Sequence, residues 1–335
     1  MLKVLMIGGT GTISTPICEA LAKDETVDLY VLNRGHKPLP VGAKQIIGDF
    51  NDQELMQEVV NQYPFDVVIN FIIFTPEQAK AQVELFKGKI KQYIFISTVV
   101  TYNHEIAVCL KEEHEQNNIY SDYGQNKAKC ERVFKETTDF PVTIVRPSQT
   151  YSHDRIPLSV KGKSCFSVID RILNDKPVIV HGDGKSTWHS THANDFALGF
   201  IPLVGNMQAV NECYQIINDE IVSWDMIYHY LYELLGKTPN IVHLPSDFLA
   251  RSKQYNFKES ILGDKQYSCI YDMSKIKSIA PEFSCGIDIK TGLKMYLDYL
   301  ELHPECKVKD EAFDYWCDKV IERYNAFVES MEGEF

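Results

Sequence analysis

The feature that most narrows the fold is a glycine loop close to the N-terminus. An apolar run, Lys3 to Ile7, passes directly into Gly8-Gly9-Thr10-Gly11-Thr12-Ile13-Ser14, and a helical stretch follows. Glycines at such a junction permit a tight turn and let the backbone approach a pyrophosphate, which then lies at the positive end of the helix. Gly9 and Gly11 fill the first two places of G-x-G-x-x-G, and Ser14 takes the third, where close helix–strand packing favours a small side chain. A glycine motif alone is weak, but a strand before it and a helix behind it are the context of a dinucleotide site.

Strand-like and helix-like segments alternate through the first half. Lys3 to Ile7, Asp28 to Leu32, Gln45 to Ile47, Asp66 to Phe71, Tyr93 to Ile96 and Val142 to Val145 are short apolar runs suited to strands covered on both faces. Between them, Ser14 to Ala22, Asp52 to Gln62, Pro76 to Phe86 and Tyr123 to Glu136 have helical character. Such alternation predicts right-handed β-α-β units. The fold class is therefore α/β, a doubly wound parallel Rossmann sheet with a smaller mixed α/β C-terminal substrate lobe. Residues 1–150 form the dinucleotide-binding domain, with later segments returning to it, and 151–335 the substrate lobe and C-terminal helices. Phe313, Trp316, Val320, Tyr324 and Phe327 predict a closing amphipathic helix over Asp310 to Val328.

Composition excludes several classes. The 335 residues carry 34 Lys and Arg against 46 Asp and Glu, a net charge of −12, which disfavours nucleic acid and anionic membranes as partners. The longest apolar cluster, Val67 to Phe74, is interrupted by Asn70 and is too short to span a bilayer. Nine cysteines without a C-x-x-C pair, and an N-terminus that runs straight into the glycine motif without a cleavage site, predict a cytoplasmic protein with reduced thiols.

The second apolar run ends at Leu32-Asn33-Arg34-Gly35-His36-Lys37. NAD sites usually place an acid about 20 residues past the glycines, to hold the ribose 2′-hydroxyl. Here Asn33 removes that repulsion toward a 2′-phosphate, and the Arg34 guanidinium, with Lys37 nearby, suits one. The cofactor is thus NADP or NAD, with NADP favoured; Arg34 stacking on adenine would suit either. Asp49 and Phe50, after the third strand, are candidates for the adenine edge.

Tyr123-Gly124-Gln125-Asn126-Lys127 is Y-x-x-x-K, and residues four apart share a helix face. An ammonium near a phenol favours phenolate, and a phenol so tuned can exchange the proton of a secondary alcohol while hydride moves to or from nicotinamide. The pair follows a presumed fifth strand, Phe95 to Tyr102, rich in Ser and Thr.

With these motifs in order, the chain resembles the extended short-chain dehydrogenase/reductases, the NAD-dependent epimerase/dehydratase group. The resemblance rests on the glycine loop, Asp66-Val-Val-Ile-Asn70, the end of strand five, Tyr123-x-x-x-Lys127-Ala128 with Glu131, Val145-Arg146-Pro147, His181-Gly-Asp-Gly184 and Thr191-His192-x-x-Asp195-Phe196-Ala197. Phe74-Thr-Pro-Glu-Gln78, Val178 to Gly184 and Leu262-Gly-Asp-Lys265 are similar to an incompletely characterised bacterial epimerase-like branch. The resemblance implies that Tyr123 is the general acid/base, that Lys127 binds the nicotinamide ribose and tunes it, and that Thr98, or its neighbour Ser97, hydrogen-bonds the reacting oxygen. It implies a pyrophosphate cradle of Gly8, Gly11 and the amides of Thr12 and Ile13, with Asn70 and Pro147 lining the cofactor. It further implies an NAD(P)-dependent oxidoreductase or epimerase acting on a secondary alcohol or ketone of a small sugar or nucleotide-sugar-like substrate, and a homodimer through two helices of the first domain is common in the group.

Two departures matter. The acid pair that follows the catalytic Thr in sugar-nucleotide dehydratases is Val99-Val100 here, which argues against elimination of water. The Arg that many nucleotide-sugar epimerases place four residues before the conserved His is Trp188; Arg155, Lys161 and Lys163 are either alternative cations for a substrate phosphate or solvated loop charges. The spacing of His181, His189 and His192 matches no zinc pattern, so no metal is expected. His192 is expected to be structural, His189 near the substrate or exposed, and Glu112-Glu113-His114-Glu115 a solvated loop. The alternative function is a non-catalytic dinucleotide- or RNA-binding protein on the same fold.

Overall fold

The computed structural model describes residues 1–334. The first elements in chain order are β1 (Leu2–Ile7), α1 (Ser14–Lys23), β2 (Val27–Asn33), β3 (Lys44–Ile47), α2 (Gln53–Gln62), β4 (Val67–Asn70), α3 (Pro76–Phe86), β5 (Gln92–Ile96), β6 (Cys109–Leu110), α4 (Asp122–Glu136), β7 (Val142–Pro147) and β8 (Gln149–Tyr151). A seven-stranded parallel sheet runs in the order Glu212–Ile216, β7, β5, β4, β1, β2, β3. β4, β5 and β7 are buried along their whole length, while the edge strand β3 is largely exposed. The uninterrupted apolar runs of the central strands follow from cover on both faces. The expected α/β doubly wound sheet is the fold observed.

The chain winds one way from β1 through β2 to β3, then returns to the other side of β1 with β4, β5 and β7. The order therefore reverses between β1 and β4, the point at which open α/β sheets bind ligands beyond the carboxyl ends of their strands. The helices on the faces are punctuated as the sequence suggests. Asp52 caps α2 by accepting the Glu54 and Leu55 amides, Thr75 and Gln78 form a reciprocal capping box with Pro76 at the head of α3, and Ser121 caps α4. The presumed fifth strand stops at Ile96. Thr98 turns its hydroxyl back to accept the Val100 amide, and Val99–Thr101 becomes a 3-10 turn. A hydroxyl that competes for local backbone in this way ends a strand.

By their internal contacts the residues fall into two compact units. The first contains Met1–Ser152, His189–Glu220 and Cys269–Ile287, and holds the sheet. The second contains His153–Trp188, Ile221–Ser268 and the chain from Asp288 onward. Inside the second unit, strands Val178–His181 and Ile241–Leu244 pair in parallel. Its C-terminal helix, Glu311–Met331, buries Phe313, Cys317 and Ile321, and Asp314 and Asp318 on it hold the buried Arg171. Trp188 packs against Trp224 in the same unit. Among the described residues no helix is long and apolar enough to cross a membrane.

A buried ion pair ties the active end of the first unit together. Arg146 on β7 donates to both carboxylate oxygens of Glu131 on α4, at 2.8 and 2.6 Å, and both side chains are fully buried. Ser97, just past β5, donates to the same carboxylate at 2.6 Å. The guanidinium also donates to the Tyr102 hydroxyl and to the Glu112 carbonyl. Glu112 is not simply solvated, as its acidic surroundings had suggested. It is half-buried, burial pushes its carboxyl up, and it accepts the Gln215 amide of the edge strand.

Burial alone would raise the Glu131 carboxyl, but Arg146, with Lys135 and Ser97, outweighs it and holds the group below the usual carboxylate range. A depressed folded pKa stabilises the fold above the unfolded value and loses that contribution as pH falls through the folded one. Glu131→Gln, which leaves the buried guanidinium without its counter-charge, should cost about 3–5 kcal/mol in urea unfolding. Its stability should also fall less steeply on acidification than that of the natural protein.

Candidate active site

The switch point between β1 and β4 opens onto a cleft of about 540 Å³ in the first unit. Its lining includes Gly8, Gly11, Asn33, Arg34, Asp49 and Phe50, six of the residues singled out in the sequence. Gly8 has φ +89°, and a Cβ there would stand 2.9 Å from Ile72, so the turn and the close approach both require glycine. Ser14, at the third glycine position, is buried and its hydroxyl accepts the Gly11 amide at 2.8 Å. The loop is thereby tied to the first turn of α1. Ile13 stands at the head of that helix without a side-chain cap, and Thr12 precedes it, so their amides stay with the helix's positive end.

At the other wall, the Asn33 oxygen accepts the Gly35 amide and the Gln45 side-chain amide, both at 2.9 Å. Those bonds fix which end of the side chain is nitrogen, and that nitrogen is shielded from solvent with no partner in the protein. An orphaned donor here, where an acid would serve an NAD ribose, fits a ligand that brings an acceptor. The Asn51 amide and side chain hold the Asp49 carboxyl below its ordinary value, with Arg34 adding to the effect. Lys37 reaches back over the loop to the Thr10 carbonyl, at 3.3 Å. The glycine cradle, the orphaned amide and these cations are a donor set suited to a dinucleotide.

Asn70 does not line this cleft. Its amide donates to Tyr93 and Gln82 in the core and its oxygen accepts the Ile72 amide, so it shapes the Phe71–Ile72 backbone that faces Gly8. Pro147 closes β7, buried and in register with Ile216, and is also outside the cleft lining.

Tyr123 and Lys127 lie in the first two turns of α4, and Glu131, one turn further, shares their face. Lys127 is buried; its ammonium donates to the Ile96 carbonyl at 2.7 Å and lies 5.8 Å from the Tyr123 ring centre. Burial pushes the ammonium down to about 8, against the pull of Cys130 and Glu131. Tyr123 is 39% exposed. Thr98 keeps its hydroxyl proton for another partner, because its oxygen is the acceptor of the Val100 amide. Ser97, the other candidate hydroxyl, already donates to Glu131.

Three contributors were given no role by the sequence. A Cβ on Gly124 would run into the Val100 carbonyl, so the glycine after Tyr123 lets α4 press against the turn that follows Thr98. Asn118 donates to that same carbonyl at 2.8 Å. Phe74 both lines the cleft and packs on Tyr123, with ring centres 6.4 Å apart. Gly124 and Phe74 lie within quoted motifs, whereas Asn118 carried no sequence signal. His192 caps the helix Ala193–Phe200 through the Asn194 amide. His189 is buried, its Nδ1 paired with the Asn218 carbonyl. Among the described residues no three His, Cys, Asp or Glu side chains are grouped to hold a metal ion.

The family model for the NAD dependent epimerase/dehydratase family matches residues 4–217. The chain is 24% identical over 279 residues to the chloroplast stem-loop binding protein of 41 kDa b of Arabidopsis thaliana, covering 77% of this chain and 70% of that protein. It is 21% identical over 337 residues to the uncharacterized UDP-glucose epimerase YtcB of Bacillus subtilis, covering 89% and 98%. Among solved structures, UDP-glucuronic acid 4-epimerase from Bacillus cereus, in complex with UDP-glucuronic acid and NAD, superposes with a TM-score of 0.71. That match covers 90% of this chain and 99% of the other at 20% identity, a likeness of fold. With the matched segment spanning the glycine loop, the Y-x-x-x-K helix and the strands between them, the chain belongs to the NAD dependent epimerase/dehydratase family, within the extended short-chain dehydrogenase/reductases.

Proposed function

We propose that the protein is an NADP(H)-preferring oxidoreductase or epimerase acting at a secondary alcohol or ketone of a sugar-like substrate. The observation that carries this reading is the juxtaposition of an available Thr98 hydroxyl, a partly exposed Tyr123 and a buried Lys127, next to a glycine-walled cleft at the switch point. When bound, the dinucleotide supplies or accepts hydride at its nicotinamide ring. Tyr123 gives or takes the substrate hydroxyl proton, and the Lys127 charge lowers the cost of its phenolate. Thr98 donates to the reacting oxygen and stabilises charge that develops there. Gly8, Gly11 and the amides of Thr12 and Ile13 hold the pyrophosphate, while Asp49 and Phe50 border the adenine and Pro147 the carboxamide. Arg34, Lys37 and the Asn33 amide favour a 2′-phosphate. Val99 and Val100 supply no acid or base, so elimination of water is not part of the reaction.

Tyr123→Phe should lower turnover by about 10²- to 10⁴-fold while leaving dinucleotide affinity nearly intact; comparable turnover in the variant would defeat the assignment. In fluorescence titrations NADPH should bind more tightly than NADH, and Asn33→Asp should reverse that order by placing a carboxylate against the 2′-phosphate. Equal affinities in both proteins would remove the NADP preference. Tightly held nucleotide released on denaturation would favour an internal redox cycle and hence epimerisation; reversible binding would favour net oxidation or reduction.

A second reading is favoured by one observation, the relative described as a stem-loop binding protein. On that reading the chain binds structured nucleic acid. The net charge of −12 opposes it. Tight filter binding of stem-loop RNA at physiological salt would reverse the order of the two readings.

A further inference from the structure

The segment Phe74-Thr75-Pro76-Glu77-Gln78 supplies none of the reacting groups, yet side-chain hydrogen bonds hold its backbone. The Gln78 side-chain oxygen accepts the Phe74 amide at 2.8 Å and the Thr75 amide at 3.2 Å. The Gln78 nitrogen donates to Asn51 at 3.0 Å, and Asn51 donates twice to Asp49 at 2.9 Å. A continuous relay thus runs from the Arg34 side of the cleft to the backbone of Phe74. The ring at its end is 46% exposed, lines the cleft, and stands with its centre 4.9 Å from the Lys127 nitrogen. Phe95 offers a second ring at the same distance.

We propose that Phe74 is a positioning residue of the acid–base pair: with Phe95 it encloses the Lys127 ammonium beside Tyr123, and through Gln78 and Asn51 it couples that pair to the adenosine wall of the cleft. The proposal rests on the reading of Tyr123 and Lys127 given above. Two aromatic rings shut the ammonium off from water, and the cost of that desolvation exceeds their face-on attraction for the charge. The other groups facing Lys127 are Tyr123, Cys130 and Glu131 on α4 and the Ile96 carbonyl of β5. Glu77 of α3 acts on Cys130, and Arg146 of β7 lies beyond Glu131. The shielding by burial outweighs the attraction of these groups, which is why the ammonium titrates low. Removing the Phe74 ring admits water and should raise it.

The test is an NMR titration of the full-length protein labelled with ¹³C,¹⁵N-lysine, Lys127 being identified by its missing signal in Lys127→Arg. Phe74→Ala should move the Lys127 midpoint up by about one pH unit, Phe74→Leu by less because it keeps apolar cover, and Gln78→Ala in the same direction. A folded Phe74→Ala protein whose Lys127 midpoint stays in place overturns the proposal. If Phe74→Ala does not fold, Phe74→Leu and Gln78→Ala decide by the same criterion. The titration needs no turnover, so it separates the two claims. High activity in Tyr123→Phe would remove the acid–base reading, whereas an unmoved midpoint with an inactive Tyr123→Phe would remove Phe74 alone.

Discussion

The ends of β5, α4 and β7 are held together by the buried pair between Glu131 and Arg146. Neither charge is tolerable alone in a dry interior, and together they are retained only because the remaining bonding capacity is filled by Ser97, Tyr102 and the Glu112 carbonyl. The consequence is geometric. Glu131 lies on the face of α4 that carries Lys127 and Tyr123, Ser97 directly precedes Thr98, and Arg146 directly precedes Pro147. One ion pair therefore holds the ends of β5, α4 and β7 in a common register. Gly124 completes the contact by letting α4 approach the turn after Thr98.

The cleft is organised by a different constraint, the reversal of strand order between β1 and β4. On the β1 side the backbone turns at Gly8; on the β4 side Asn70 commits its side chain to the core and shapes the Ile72 backbone opposite. The distal wall is polar and donor-rich. The Asn33 side-chain nitrogen has no partner in the protein, and Arg34 and Lys37 line the same cleft. A carboxylate at this wall, Asp49, is already engaged by Asn51 and Arg34.

Relatives on this fold bear names as different as UDP-glucose epimerase and stem-loop binding protein. Fold alone does not choose between such activities; residues do. The proposed catalytic reading rests on the hydroxyl, phenol and ammonium set of Thr98, Tyr123 and Lys127. Where sugar-nucleotide dehydratases are expected to carry an acid pair, this chain has Val99 and Val100.

The sequence by itself determined the fold class, the glycine turn and the Y-x-x-x-K helix. Each of these is local: glycine freedom, strand burial on two faces and an i, i+4 spacing are properties of short segments. Tertiary structure alone decided that the Ser97 hydroxyl donates to Glu131 while the Thr98 hydroxyl accepts the Val100 amide. It decided that Asn70 serves the core and that Glu112 caps the edge strand, since both depend on partners far away in the chain. It also decided which segments beyond residue 152 pack with the sheet, and it put Phe74 over Lys127. These are contacts between residues dozens of positions apart, and a pattern read along the chain has no term for them.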